Sequence, residues 1–157
     1  DDYYIGPDSL EKAVKAMDLT SNKFYYFTMF LENAEGHRKI QKYHFNKINY
    51  WKLFYSAYVP HPTLVISKKQ YQTVGLFDES FKITGDHDFI LRLCRKYQGQ
   101  FVDWPLTVMK QGGISGRNNK VTFAEFKRAT IKNGLPAWLA EILFRFKVLK
   151  LRFTKKF

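Results

Sequence analysis

The chain has 157 residues, of which 45% are hydrophobic and 18% aromatic, enough to bury one sizeable core and too apolar for a disordered tail. Its 26 Lys and Arg outweigh 14 Asp and Glu, a net charge of +12 that suits anionic partners: nucleotide phosphates, lipid headgroups or nucleic acid. A single cysteine, Cys94, excludes a disulfide within the chain, and no run of about 18 apolar residues is present to cross a bilayer.

The first predicted element is a helix over 7–17. Leu10, Ala13, Val14 and Met17 recur at helical spacing after Gly6-Pro7-Asp8, with proline in the first turn and acid at the positive end. The stretch 24–31, rich in Tyr, Phe and Thr, and the alternating stretch 38–45 read as two strands of a hairpin, turned by Asn33-Ala34-Glu35-Gly36. Residues 46–60 are aromatic but aperiodic, a loop with one helical turn at most. A short buried strand is expected over 63–66, after His61-Pro62, and a helix over 68–74 that Gly75 ends.

A second strong helix covers 86–97, with Phe89, Ile90, Leu93, Cys94 and Tyr97 on one side and Arg92, Arg95 and Lys96 on the other. Its periodicity makes Cys94 a structural thiol. The strand expected over 100–109 carries Trp104-Pro105, which suits an edge or a bend. A flexible glycine loop over 112–116 then leads to helices over 121–133 and 136–153, separated by Gly134.

Three constellations carry chemistry. Asp1-Asp2 is a pair of hard-oxygen ligands fit for a divalent cation shared with phosphate, though two adjacent acids are by themselves more often simply solvated side chains. Gly85-Asp86-His87-Asp88 opens a helix, where a carboxylate serves as a cap or, presented rigidly to a hydroxyl, as a general base. Gln111-Gly112-Gly113-Ile114-Ser115 lets backbone amides approach an anion, or is an ordinary loop. Of the four histidines, His61 stands out by its place in an X-Pro turn before a strand.

Taken in order, Asp1-Asp2-Tyr3-Tyr4-Ile5-Gly6-Pro7 with Leu10, His61-Pro62-Thr63, Val74-Gly75-Leu76-Phe77-Asp78-Glu79-Ser80-Phe81, Asp86-His87-Asp88-Phe89 with Leu91-Arg92-Leu93, and Gly112-Gly113-Ile114-Ser115 resemble glycosyltransferase family two. The resemblance spans residues 1–130. It implies an α/β fold of GT-A type, here its C-terminal half: a mixed sheet flanked by helices, followed by C-terminal helices. It also implies inverting transfer of a sugar from a nucleotide-diphosphate donor to an acceptor hydroxyl, as in bacterial cell-surface polysaccharide or glycolipid synthesis. By position Asp86 matches the family's catalytic base and Asp88 a supporting residue, while His61 resembles a histidine near the acceptor. Gly112, Gly113 and Ser115 match the loop that closes on the donor phosphates, and Asp1 and Asp2 the ligands of Mg2+ or Mn2+. Gly85 departs from the pattern, which often has Glu there.

The resemblance divides the chain into residues 1–133, a partial catalytic domain without its nucleotide-binding half and expected to be inactive alone, and residues 134–157, a basic amphipathic helix. That helix sets Leu139, Ile142, Leu143, Phe146, Leu149 and Phe153 along a stripe flanked by basic residues, a pattern suited equally to an anionic membrane and to packing on the expected nucleotide-binding half; the resemblance favours the membrane. The expected location is cytoplasmic or peripheral on the inner face of the cell membrane. The expected partners are the nucleotide-sugar donor, a saccharide or lipid-linked acceptor, the membrane surface and a second copy of the chain. Of the competing readings, a basic nucleic-acid-binding module rests on charge and aromatics and has the ordered acidic motifs against it, and a non-catalytic assembly module is expected if the nucleotide-binding half is naturally missing.

Overall fold

The structure, a computed structural model, describes residues 2–41, 47–112 and 119–154. Its centre is strand β2 (Phe24–Glu32), whose first five residues are all buried, as expected of a strand covered on both faces. β2 pairs in parallel with β5 (Gly99–Lys110) on one side. On its other side it pairs antiparallel with β3 (Arg38–Gln41) and, nearer its start, with β4 (Leu64–Val65). Short β1 (Tyr3–Tyr4) runs antiparallel along the far edge of β5. The sheet is therefore mixed, in the order β1-β5-β2-β3 with β4 also on β2.

Side chains alternate across β2 and so divide the core. Phe24 and Tyr26 pack with Val74 of α3 (Lys68–Val74) and with Phe89 and Leu93 of α4 (Gly85–Lys96). Tyr25 and Phe27 pack on the opposite face with Leu106 and with Ala13 of α1 (Ser9–Lys15). The far side of α4 is also covered. Ile90 and Leu91 join Leu53 of α2 (Tyr50–Leu53), Ala129 of α5 (Asn119–Lys132) and Ala140 of α6 (Ala137–Thr154) in a third cluster. Helix α4 is thus enclosed between the sheet and the last two helices.

Most expected elements are present with shifted ends. The hairpin of 24–31 and 38–45 forms as β2 and β3, although residues 42–46 lie outside the described residues. The single helical turn in 46–60 is α2. Gly75 ends α3 with φ +89°, a conformation that favours glycine. Gly99 serves by lacking a side chain: a Cβ there would come within 2.6 Å of the Phe24 ring.

One expectation needs correction. The strand expected over 63–66 is shorter, because His61–Thr63 form a 3-10 turn first. Thr63, fully buried, ties that turn to the sheet: its Oγ1 accepts from Phe27 N at 3.1 Å and donates to the Pro60 carbonyl at 2.9 Å. Trp104-Pro105 meet both expectations: β1 covers β5 only beside Leu106, Thr107 and Val108, so at Pro105 that side of β5 has no strand partner among the described residues, and the pairing with β2 is irregular there as well. Pro105 is accommodated because the β2 register breaks there, Phe27 pairing with Val102 and Thr28 with Pro105, so its missing N–H falls at an irregularity.

Candidate active site

Helix α4 leads through Tyr97-Gln98 directly into β5, so it runs antiparallel to β5 and β2. Its first turn therefore points toward the carboxyl ends of the parallel pair, the end at which open α/β sheets bind ligands. Asp86 and Asp88 lie in that turn and differ in kind. Asp86 is exposed, with Oδ1 accepting from His87 N at 2.7 Å. Asp88 is fully buried: it accepts from Arg92 Nε at 2.9 Å and Asn133 Nδ2 at 2.9 Å, and it lies 3.3 Å from Lys132 Nζ.

The segment leading into α4 is anchored from distant elements. Arg92 donates to the carbonyls of Val74 at 2.7 Å and Leu76 at 2.9 Å, holding the turn after α3. Glu125 of α5 accepts from the backbone N–H groups of Lys82, Ile83 and Thr84 at 2.8, 2.8 and 3.0 Å. These donors lie just before the helix, where Thr84 supplies no side-chain cap of its own. Arg128 donates to the Ser80 carbonyl and lies over the Phe81 ring at 3.9 Å. Lys132 binds Asp78 at 2.8 Å and, with the Ser80 hydroxyl and N–H, holds that carboxyl far below the usual range. The result is a rigid platform beneath Asp86.

His61 reaches the same region through aromatic contacts. Its ring sits edge-on to Phe77 at 5.7 Å, and Phe77 stacks on Phe89 of α4 at 4.8 Å. Gly112 follows the end of β5 with φ +97°, while Gly113 and Ser115 lie outside the described residues. Asp2 is exposed beside β1, where Tyr3 pairs with Val108 near the carboxyl end of β5; Asp1 also lies outside the described residues. Asp86, Asp2 and Gly112 thus share one end of the sheet.

That end carries a further cluster. Tyr3 donates its hydroxyl proton to Glu32 Oε2 at 2.7 Å, Arg38 Nε donates to the same oxygen at 2.8 Å, and Arg38 Nη2 donates to the Tyr3 oxygen at 2.8 Å. Arg38 first, then Tyr3, hold the Glu32 carboxyl below its ordinary value. Lys110 lies 5.8 Å from the centre of the Tyr3 ring. Sequence reasoning missed these residues because they are brought together only by strands β1, β2, β3 and β5 in register. It missed Glu125 and Asn133 for a similar reason, since each acts across more than 40 positions.

Among the described residues no cluster of three or more His, Cys, Asp or Glu is arranged as a metal cage. A cavity of about 480 Å3, lined by Lys23, Tyr50, Cys94 and Tyr97, opens at the amino ends of β2 and β5, away from Asp86. Burial pushes the Cys94 thiol there up to about 12, so it is not a nucleophile at neutral pH. No protein-family model matches the chain, and neither does any curated protein.

Proposed function

We propose that the chain provides the base and the acceptor side of a metal-dependent inverting glycosyltransferase, transferring a sugar from a nucleotide-diphosphate donor to an acceptor hydroxyl. The observation that carries this reading is the contrast within the first turn of α4. One carboxylate, Asp88, is buried and committed to Arg92 and Asn133, whereas Asp86, two residues away, is exposed on a braced helix start at the ligand-binding end of the sheet. The resemblance of the ordered motifs to glycosyltransferase family two supplies the reaction class.

In the proposed mechanism Asp86 accepts the proton of the acceptor hydroxyl as the oxygen attacks the anomeric carbon, and the nucleotide diphosphate leaves on the opposite face. Asp2, with Asp1, would hold Mg2+ or Mn2+ against the donor phosphates, supplying compensation for the charge that develops on the leaving diphosphate. Arg38 and Lys110, at the same end of the sheet, add positive potential. His61, fixed by Phe77, is proposed to border the acceptor.

The test is Asp86→Asn in an enzyme with a complete donor site. Turnover is expected to fall roughly 100- to 10,000-fold with donor affinity and thermal midpoint close to wild type. Near-normal turnover, or a loss of stability that tracks the loss of activity, would reduce Asp86 to a helix cap.

A further inference from the structure

Helix α6 has two apolar sides, and the core uses only one. Ala140 and Phe144 are buried and Leu139 and Leu143 pack on the cluster formed by α4 and α5. On the other side Trp138 is 68% exposed, Ile142 44%, Phe146 67% and Leu149 48%. At about 100° per residue these four fall within about 80° of arc, a continuous stripe rather than scattered positions. An exposed stripe of this size, with Trp and Phe at its most open positions, marks an interaction surface.

Charge identifies what covers it. Residues 142–157 contain six basic residues and no acidic one. Lys147 is turned inward, its Nζ donating to the Tyr55 carbonyl at 2.9 Å, and Arg145 is 79% exposed with its Nε on Glu141. A second copy of the chain docked stripe to stripe would bring two such basic segments together, which like-charge repulsion opposes. An anionic bilayer complements both features at once: the stripe enters the headgroup boundary, where Trp is favoured, and the net positive charge of residues 142–157 is drawn to the negative surface. We propose that α6 lies in the interface of an anionic membrane, with Trp138, Ile142, Phe146 and Leu149 inserted.

The proposal does not depend on the catalytic reading, and its test contains no sugar nucleotide. The full chain is sedimented with vesicles of phosphatidylcholine alone and of phosphatidylcholine mixed with phosphatidylglycerol. Binding is expected only to the mixed vesicles and should weaken steeply with salt, by about fivefold for each basic residue that the added ions screen from the surface. The double variant Trp138→Ser, Phe146→Ser changes two exposed side chains, so its circular dichroism and thermal midpoint should stay near wild type while partitioning falls about 10- to 100-fold. Absence of binding to the mixed vesicles, or unchanged binding by the double variant, overturns the proposal. So does a concentration-dependent dimer in sedimentation velocity that the double variant abolishes, which would assign the stripe to self-association.

Discussion

Asn133, near the end of α5, donates from Nδ2 to Asp88 Oδ1 at 2.9 Å and to the Ala129 carbonyl at 2.8 Å, and so completes the shell of a carboxylate that is closed off from solvent. A buried charge missing one partner is expensive, because neither water nor relaxation replaces the donor. Asn133→Ala is expected to lower stability by about 1–3 kcal/mol. Asp88→Ala, which breaks the pair with Arg92 as well, should cost about 3–5 kcal/mol. Urea denaturation of both variants checks the order, and an unchanged midpoint for Asn133→Ala would mean that Arg92 and Lys132 suffice for the carboxylate.

Glu125 covers three backbone donors ahead of α4. Burial opposes its ionisation, yet the N–H groups of Lys82, Ile83 and Thr84 outweigh this and hold its pKa below the ordinary value. A carboxyl depressed in the folded state contributes stability that is present above its unfolded pKa and is lost as pH falls through the folded one. Glu125→Ala should therefore cost about 1–2 kcal/mol at neutral pH and less in acid. Amide exchange at residues 82–84 should accelerate in the same variant. Protection equal to wild type at all three amides would show that the segment is held by Arg128 and Lys132 instead.

His87 gives stability a second pH dependence, at higher pH than the carboxylates. Its ring is 2% exposed and stacks on Phe126 at 4.1 Å, and neither nitrogen makes a well-formed hydrogen bond among the described residues, the Leu53 backbone offering only a weak one. Burial, reinforced by the Lys147 ammonium, lowers its pKa to about 4, while the Leu53 backbone and Asp88 act in the opposite direction without prevailing. Above pH ~6.5 the folded and unfolded forms are both neutral and nothing is lost. Between pH ~6.5 and ~4 the unfolded chain takes up a proton that the folded chain refuses, so stability declines by at most about 3 kcal/mol. His87→Phe keeps the ring on Phe126 and should flatten the profile in that window. A profile unchanged by His87→Phe would place the transition on another group.

How much was legible in the sequence depends on whether a signal is local. The α4 helix follows from the spacing of Phe89, Ile90 and Leu93, the α3 stop from Gly75, and the β2–β3 hairpin from an aromatic strand and an Asn-to-Gly turn. Trp104-Pro105 was harder, because proline at an edge and proline at a register break leave the same mark in sequence. In the fold both hold, since the pairing with β2 shifts at Pro105 and β1 does not extend to it on the other side. For the site, Asp86 and Asp88 are equal in sequence and opposite in the fold, since burial is decided by Arg92 and by Asn133 forty-five positions away. The Tyr3, Glu32 and Arg38 cluster depends on three strands in register and leaves no pattern along the chain.

The borrowed cap of α4 has a consequence for the order of assembly. A helix start whose N-cap residue offers no side-chain acceptor is a poor nucleus, and in α4 the only local side-chain help among the described residues is Asp86 taking the His87 N–H. Here the acceptor for the preceding turn is Glu125, forty-one residues beyond Thr84, and the final donor to Asp88 is Asn133. During synthesis α4 can therefore pack on β2 through Phe89 and Leu93 before α5 emerges, but the turn that leads into it, residues 82–84, gains its acceptor only once α5 docks. Contacts of such separation form late and slowly. The carboxylate just after that turn, Asp86, accordingly reaches its final place among the last groups in the chain to do so.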